Sequence, residues 1–160
     1  MLKIAALATA VALLTTVSTS AQQPPPPAYG PPITLEAAKK AMAAAEAEAT
    51  KNSWPVAIAI LDSTGHPVML HKMDNVQYAS IKIAEGKAQT AVDFRRPSKA
   101  LEDALAGGGA GLRVLTFGNI LVQGGVPIVV DGKIVGSIGV SGVTSQQDEQ
   151  IASAGAAALK

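Results

Sequence analysis

The 160-residue chain has no cysteine and only five aromatic residues: Tyr29, Trp54, Tyr78, Phe94 and Phe117. Without a thiol there is no disulfide framework, thiolate zinc site, iron–sulfur cluster or cysteine nucleophile. Charge is sparse and balanced, with 13 Lys plus Arg against 12 Asp plus Glu. That balance fits neither a nucleic-acid-binding surface nor an acidic disordered chain. Two histidines are too few for a multi-histidine metal centre within one chain. Familiar catalytic signatures are missing as well. Gly125 to Lys133 (GVPIVVDGK) holds six residues between its glycines where a P-loop has four, and Ile134 stands where Ser or Thr is needed. Gly139-Val140-Ser141-Gly142 would need glycine at Val143 to form a nucleophile elbow. Leu112 and Val114 prevent the glycines at 107 to 111 from closing a G-x-G-x-x-G turn. Phosphate cradling, serine hydrolysis and dinucleotide binding are thereby set aside.

What is present begins with Lys3, an apolar or small run from Ile4 to Leu14, and small hydroxyl residues up to Ala21. This is the anatomy of a secretory signal peptide over residues 1–21, shorter than a spanning helix requires. Export to the periplasm or medium is expected, leaving no membrane span after processing. Losing Lys3 leaves 12 basic and 12 acidic residues, a formally neutral mature protein. Residues 22–32 (QQPPPPAYGPP) hold six of the ten prolines. They predict an extended polyproline linker that pairs into neither helix nor sheet.

The folded domain is expected over residues 33–160. Thr34 caps an Ala-, Glu- and Lys-rich helix whose apolar stripe comprises Leu35, Ala38, Met42 and Ala45. Val56 to Asp62 and Pro67 to Met73 read as a hairpin. Alternation places Val68, Leu70 and Lys72 on one side of its second strand and Met69, His71 and Met73 on the other. A helix follows over 79–94, and Pro97 stops it. Ser98 is expected to cap a short helix over 99–106. Three strand-like runs come next, Asn119–Gln123, Val126–Val130 and Lys133–Ser141, the last two joined by Asp131-Gly132. Ser145 and Asp148 predict a capping box for a final helix. The order implies an α+β fold with a five-stranded antiparallel sheet and helices packed on it.

Few residues carry chemistry. His71 shares a strand face with Met69 and Met73, and imidazole and thioether are both axial ligands of haem iron. The plain alternative is a half-buried face on which methionine fills gaps. Lys87 lies on the apolar face of the middle helix, so it should pair with a carboxylate, Asp74 in the loop after the second strand being one candidate, or meet an anion such as a propionate. Glu85, Asp93, Arg95 and Arg96 read as ordinary solvated charges, and His66 as a turn residue. Eleven of the fifteen glycines lie between Gly107 and Gly142. Gly136, Gly139 and Gly142 serve either close packing or a groove for a flat ligand or another subunit.

Several segments together resemble the GlcG/HbpS family, the haem-binding or haem-degrading domain that is similar to the C-terminal domain of PduO-type proteins. They are Ala59 to His66 (AILDSTGH), Lys72-Met73-Asp74, Ala84 to Ala91 (AEGKAQTA), Gly124 to Ile128 with Asp131-Gly132, Gly136 to Gly142 (GSIGVSG), and Asp148. The resemblance covers about residues 33–160. It implies a profilin-like layered fold, homo-oligomers such as dimers or octamers, and haem as cofactor or cargo. Lys72 stands where that family commonly has Arg, and Asn75 where it commonly has Gly. The family supplies no single ligand residue, so His71 and Met73 as iron ligands, and Lys87 as a further cofactor-binding residue, rest on the strand and helix reading above. The leading expectation is an exported protein that captures or buffers haem. The alternatives are a haem-degrading or other small-molecule enzyme, and an oligomeric interaction module without a small ligand.

Overall fold

The structure is a computed structural model that describes residues 25–159. The expected signal peptide over 1–21 lies outside the described residues. Chain order is β1 (Ala28–Tyr29), α1 (Leu35–Lys51), β2 (Ala57–Asp62), β3 (Pro67–Lys72), α2 (Ala79–Phe94), α3 (Lys99–Ala106), a 3-10 segment (Gly109–Phe117), β4 (Gly125–Val130), β5 (Lys133–Ser141) and α4 (Ser145–Ala157).

β5 is the spine of the sheet. One of its edges pairs antiparallel with β4, and the other pairs antiparallel with β2 over 136–141. β2 in turn pairs with β3, so β4 and β3 are the opposite outer strands. The five-stranded α+β expectation holds, but the fifth strand is not Asn119–Gln123, which forms no strand. β1 takes that place, running parallel to β5 through Ala28↔Lys133 and Tyr29↔Ile134. The proline-rich segment expected to stay unpaired is therefore tied down where it has no proline, at Ala28-Tyr29. Gly30 and Ile33 add N–H bonds to the carbonyls of Ile134 and Val135, and the Tyr29 hydroxyl sits 2.7 Å from the Val92 carbonyl at the end of α2.

Two layers cover the sheet. On one side α1 and α4 bury Ala38, Met42, Ala45, Ile151 and Ala152 against Ile58, Ile60, Ile138 and Val140. On the other, Ala84 and Ala88 of α2 lie on Ala57, Ala59 and Leu61. Small residues make both contacts close. A Cβ at Gly139 would overlap the Ala84 carbonyl oxygen, and one at Gly155 would meet the Ala41 carbonyl at 2.9 Å. The glycines in and just after β5 thus serve packing: a Cβ at Gly136 would overlap the Leu61 carbonyl oxygen and one at Gly142 the Pro55 carbonyl oxygen. Leu35, expected on the apolar stripe, is 53% exposed at the first turn of α1.

Local chemistry departs from expectation at three other points. An extra residue in β3, Val68, falls between the pairs Ile60↔Met69 and Leu61↔Pro67. This bulge turns Val68 to the same cluster as Met69 and Met73, breaking the simple alternation. Thr144, not Ser145, caps α4, with Gln147 completing the box. Ser98 does not cap α3 with its side chain; its Oγ donates to the Val122 carbonyl and accepts from the Gly125 N–H.

The hairpin turn is organised by Asp62, whose Oδ1 accepts from the N–H groups of Thr64 and His66 and from the Thr64 hydroxyl. Partial burial pushes this carboxyl up, but those donors outweigh it and hold it below the usual 3.8. Its stabilisation is therefore complete above pH 3.8 and lost as pH falls through the lower folded value. Asp62→Ala should cost about 1–2 kcal/mol at neutral pH, and the gap to wild type in urea unfolding should narrow below pH 3.8. A gap that stays constant with pH would remove the carboxylate from this role. Gly139→Ala should lose about 1–3 kcal/mol or more through overpacking. Gly107→Ala, at φ −68° with its nearest neighbours 3.5 Å away, should stay within about 0.5 kcal/mol of wild type. Matching urea midpoints for the two variants would contradict the packing of α2 on β5.

Candidate functional site

Lys87 faces neither solvent nor Asp74. It is 2% exposed, and its Nζ lies 2.7 Å from Oδ2 of Asp148 at the start of α4. The side chain reaches from one layer of the sandwich to the other beside the start of β4. The remaining Asp148 oxygen accepts the Val143 N–H at 3.2 Å. Burial pushes the Asp148 carboxyl above the usual carboxylate range, while the Lys87 ammonium and the Val143 and Gly142 N–H groups pull it down. A Cβ at Gly124, whose φ is +123°, would come within 2.9 Å of both Asp148 Cβ and Lys87 Nζ, so there is no room for a side chain. The ammonium is committed to an internal pair, which corrects the choice of Asp74 as its partner and separates Lys87 from His71 and Met73.

His71 and Met73 lie at the free edge of β3. His71 pairs with Ile58 and Met69 with Ile60, so both turn toward the α1 side of the sheet. His71 is partly exposed, with Nδ1 3.6 Å from Oε2 of Glu46. Met73 anchors its N–H to the Val56 carbonyl and lines a shallow depression of about 400 Å³ with Thr50, Trp54 and Asn75. Asn75 (φ +64°) and Ser53 (φ +57°) border that depression in the left-handed region. Asn75 suits its position, since Asn tolerates that conformation better than most residues. The edge thus offers an imidazole, a thioether and one indole within a short stretch of surface.

The opposite edge carries a feature the sequence reading missed. A groove of about 550 Å³ runs along β4 between the C-terminal end of α4 and the corner joining α2 to α3. Val126, Pro127 and Val129 form its floor, Ala156 and Ala157 one wall, and Arg95 and Arg96 stand at the other. Arg95 ends α2 in the left-handed conformation (φ +53°), and its guanidinium lies 5.6 Å from the Tyr29 ring centroid. Arg96 donates through Nε to the Phe94 carbonyl. Among the described residues neither arginine is paired with a carboxylate. Adjacent cations between a helix end and Pro97 were the available signal, but nothing in the spacing said that a valine-lined strand edge would face them.

This layered fold is shared with solved structures of haem-related proteins. A variant of Streptomyces reticuli HbpS is 33% identical with a TM-score of 0.74, covering 95% of this chain and 99% of that one. The protein in a PduOC–haem complex is 27% identical with a TM-score of 0.73, covering 81% of this chain and 96% of that one. The Escherichia coli K12 protein GlcG is 40% identical over 109 residues, 68% of this chain and 81% of GlcG. The chain belongs to the HbpS-like family, described as haem degrading protein HbpS-like, whose model matches residues 33–157.

Breaking a buried pair strands a charge. Lys87→Met and Asp148→Leu should each cost about 3–5 kcal/mol in urea unfolding, whereas the two combined should cost less than either alone. Additive losses in that double-mutant cycle would show that the two side chains act independently.

Proposed function

We propose that the chain is an exported haem-binding protein that captures or buffers haem, with the iron approached from the free edge of β3. The observation that carries this is the placement of His71 and Met73 on one face of an outer strand, in a chain of the HbpS-like family. Both donors suit haem iron. The crystallised PduOC–haem complex supports the ligand, and the leader-like residues 1–21 support export to the periplasm or medium. Trp54 and Met73 give the edge one ring and one polarizable side chain for a porphyrin face. So shallow a site would be completed by a second copy of the chain. The exposed apolar residues Leu112, Leu115, Phe117, Ile120 and Val122 support homo-oligomers, the kind of surface that assembly buries. Haem degradation is the second reading, favoured by the family's description alone.

Titrating the purified chain with hemin should give a saturable Soret shift at micromolar protein. His71→Ala and Met73→Leu should each alter the iron's ligand-field bands while the second leaves stability within about 1.5 kcal/mol. Absence of a saturable shift removes the proposal, and unaltered bands in both variants remove the edge as the iron site. Periplasmic recovery of a chain cleaved near Ala21 tests export. Ring-opened product formed with peroxide or a reductant, beyond the bleaching of free hemin, would establish the degradative reading instead.

A further inference from the structure

The groove along β4 lies on the opposite edge of the sheet from His71 and Met73, and none of its lining side chains is a nitrogen or sulfur ligand for iron. Its volume, about 550 Å³, falls within the roughly 300–1,000 Å³ of small-molecule sites. Its floor and one wall are aliphatic, and its other wall carries two guanidinium groups with no acidic side chain in the lining. That distribution matches a molecule with an apolar body and an anionic end. Guanidinium groups hold carboxylates through paired N–H donors, and among the described residues neither of these two is paired with a carboxylate. The Phe94 carbonyl engages only Nε of Arg96, leaving its terminal nitrogens free of that bond. The Tyr29 ring supports Arg95 through its face, an interaction that leaves the N–H donors in the guanidinium plane. The left-handed backbone at Arg95 is a conformation that glycine would adopt with less strain, and it carries a long cation instead.

We propose that this groove binds an apolar carboxylate, its body along Val126 and Val129 and its head on Arg95 and Arg96, with no contact to a metal. The inference is independent of the haem reading. Two sources share the chemistry, the propionates of a tetrapyrrole and the head of a fatty acid. Metal-free protoporphyrin IX and 11-(dansylamino)undecanoic acid probe them separately.

Fluorescence titration of the full chain should show saturable binding of at least one probe, weakened at high salt. Arg95→Gly combined with Arg96→Gln keeps the left-handed turn and should weaken that probe about tenfold or more. Ser153→Phe, at an exposed lip of the groove, should block it without touching the arginines. His71→Ala should leave it unchanged, which separates this site from the iron site. Binding of protoporphyrin alone assigns the groove to tetrapyrroles, and binding of the dansyl acid alone to fatty acids. If neither probe binds, or both arginine substitutions leave affinity intact, the proposal fails whatever hemin does. A change in oligomer mass with Ser153→Phe, without loss of an established affinity, would mean that a second copy covers the groove, and that also overturns it.

Discussion

The buried pair of Lys87 and Asp148 is the constraint around which the two halves of the sandwich are arranged. α2 lies on one face of the sheet and α4 on the other, so an ion pair between them has to pass the sheet's edge. It does so beside Gly124 and Gly125, where any side chain would strike Lys87 or Asp148. The Gly125 N–H then bonds Ser98, and Ser98 bonds the Val122 carbonyl. The start of α3, the approach to β4, α2 and the first turn of α4 are thus fixed at one point. A pair so fully desolvated adds little net stability over an apolar alternative. What it does here is join four segments whose relative positions hydrophobic packing alone would leave less determined.

Close backbone contact is the second constraint, and it accounts for the composition. Alanine and glycine supply the surfaces where α2 meets β5 and α4 meets α1. Helices that approach so closely leave little space for aromatic side chains, which matches the scarcity of rings in the chain. Trp54 packs at the margin of the core, Phe94 stacks on Phe117 at 5.3 Å near the surface, and Tyr78 is exposed. The interior is therefore aliphatic, and the two depressions described above lie at the rims of the sheet.

Periodicity made α1, the hairpin, α2, α3 and the β4–β5 hairpin legible, because each has an uninterrupted pattern ended by a turn residue. It failed where pairing is decided by distant backbone. Asn119–Gln123 has strand-like residues, yet it is held by side-chain hydroxyls, Thr90 donating to the Ile120 carbonyl and Ser98 to the Val122 carbonyl, and pairs with no strand. Ala28-Tyr29 sits among prolines and pairs because β2 stops opposite Gly136 and leaves that edge of β5 open. That Lys87 needed a carboxylate followed from its place on an apolar face. That the carboxylate is Asp148, 61 residues away, depends on two helices meeting around a sheet edge, which no local pattern records. His71 and Met73 were paired correctly by strand parity, while the bulge at Val68 was invisible because it alters spacing without altering residue type.

The two rims divide the chemistry that a haem-like molecule presents. One edge has an imidazole, a thioether and one indole ring, and the cation on its strand is Lys72, which carries no guanidinium. The other has two guanidinium groups and an aliphatic floor but nothing to ligate iron. A single molecule cannot lie on both outer strands, since β5 and β2 separate them. On the two proposals above, selectivity for the metal and selectivity for the acid would be separate properties, each set by a different outer strand of the sheet. The interior, closed by Lys87, Asp148 and the glycines of β5, takes no part in either.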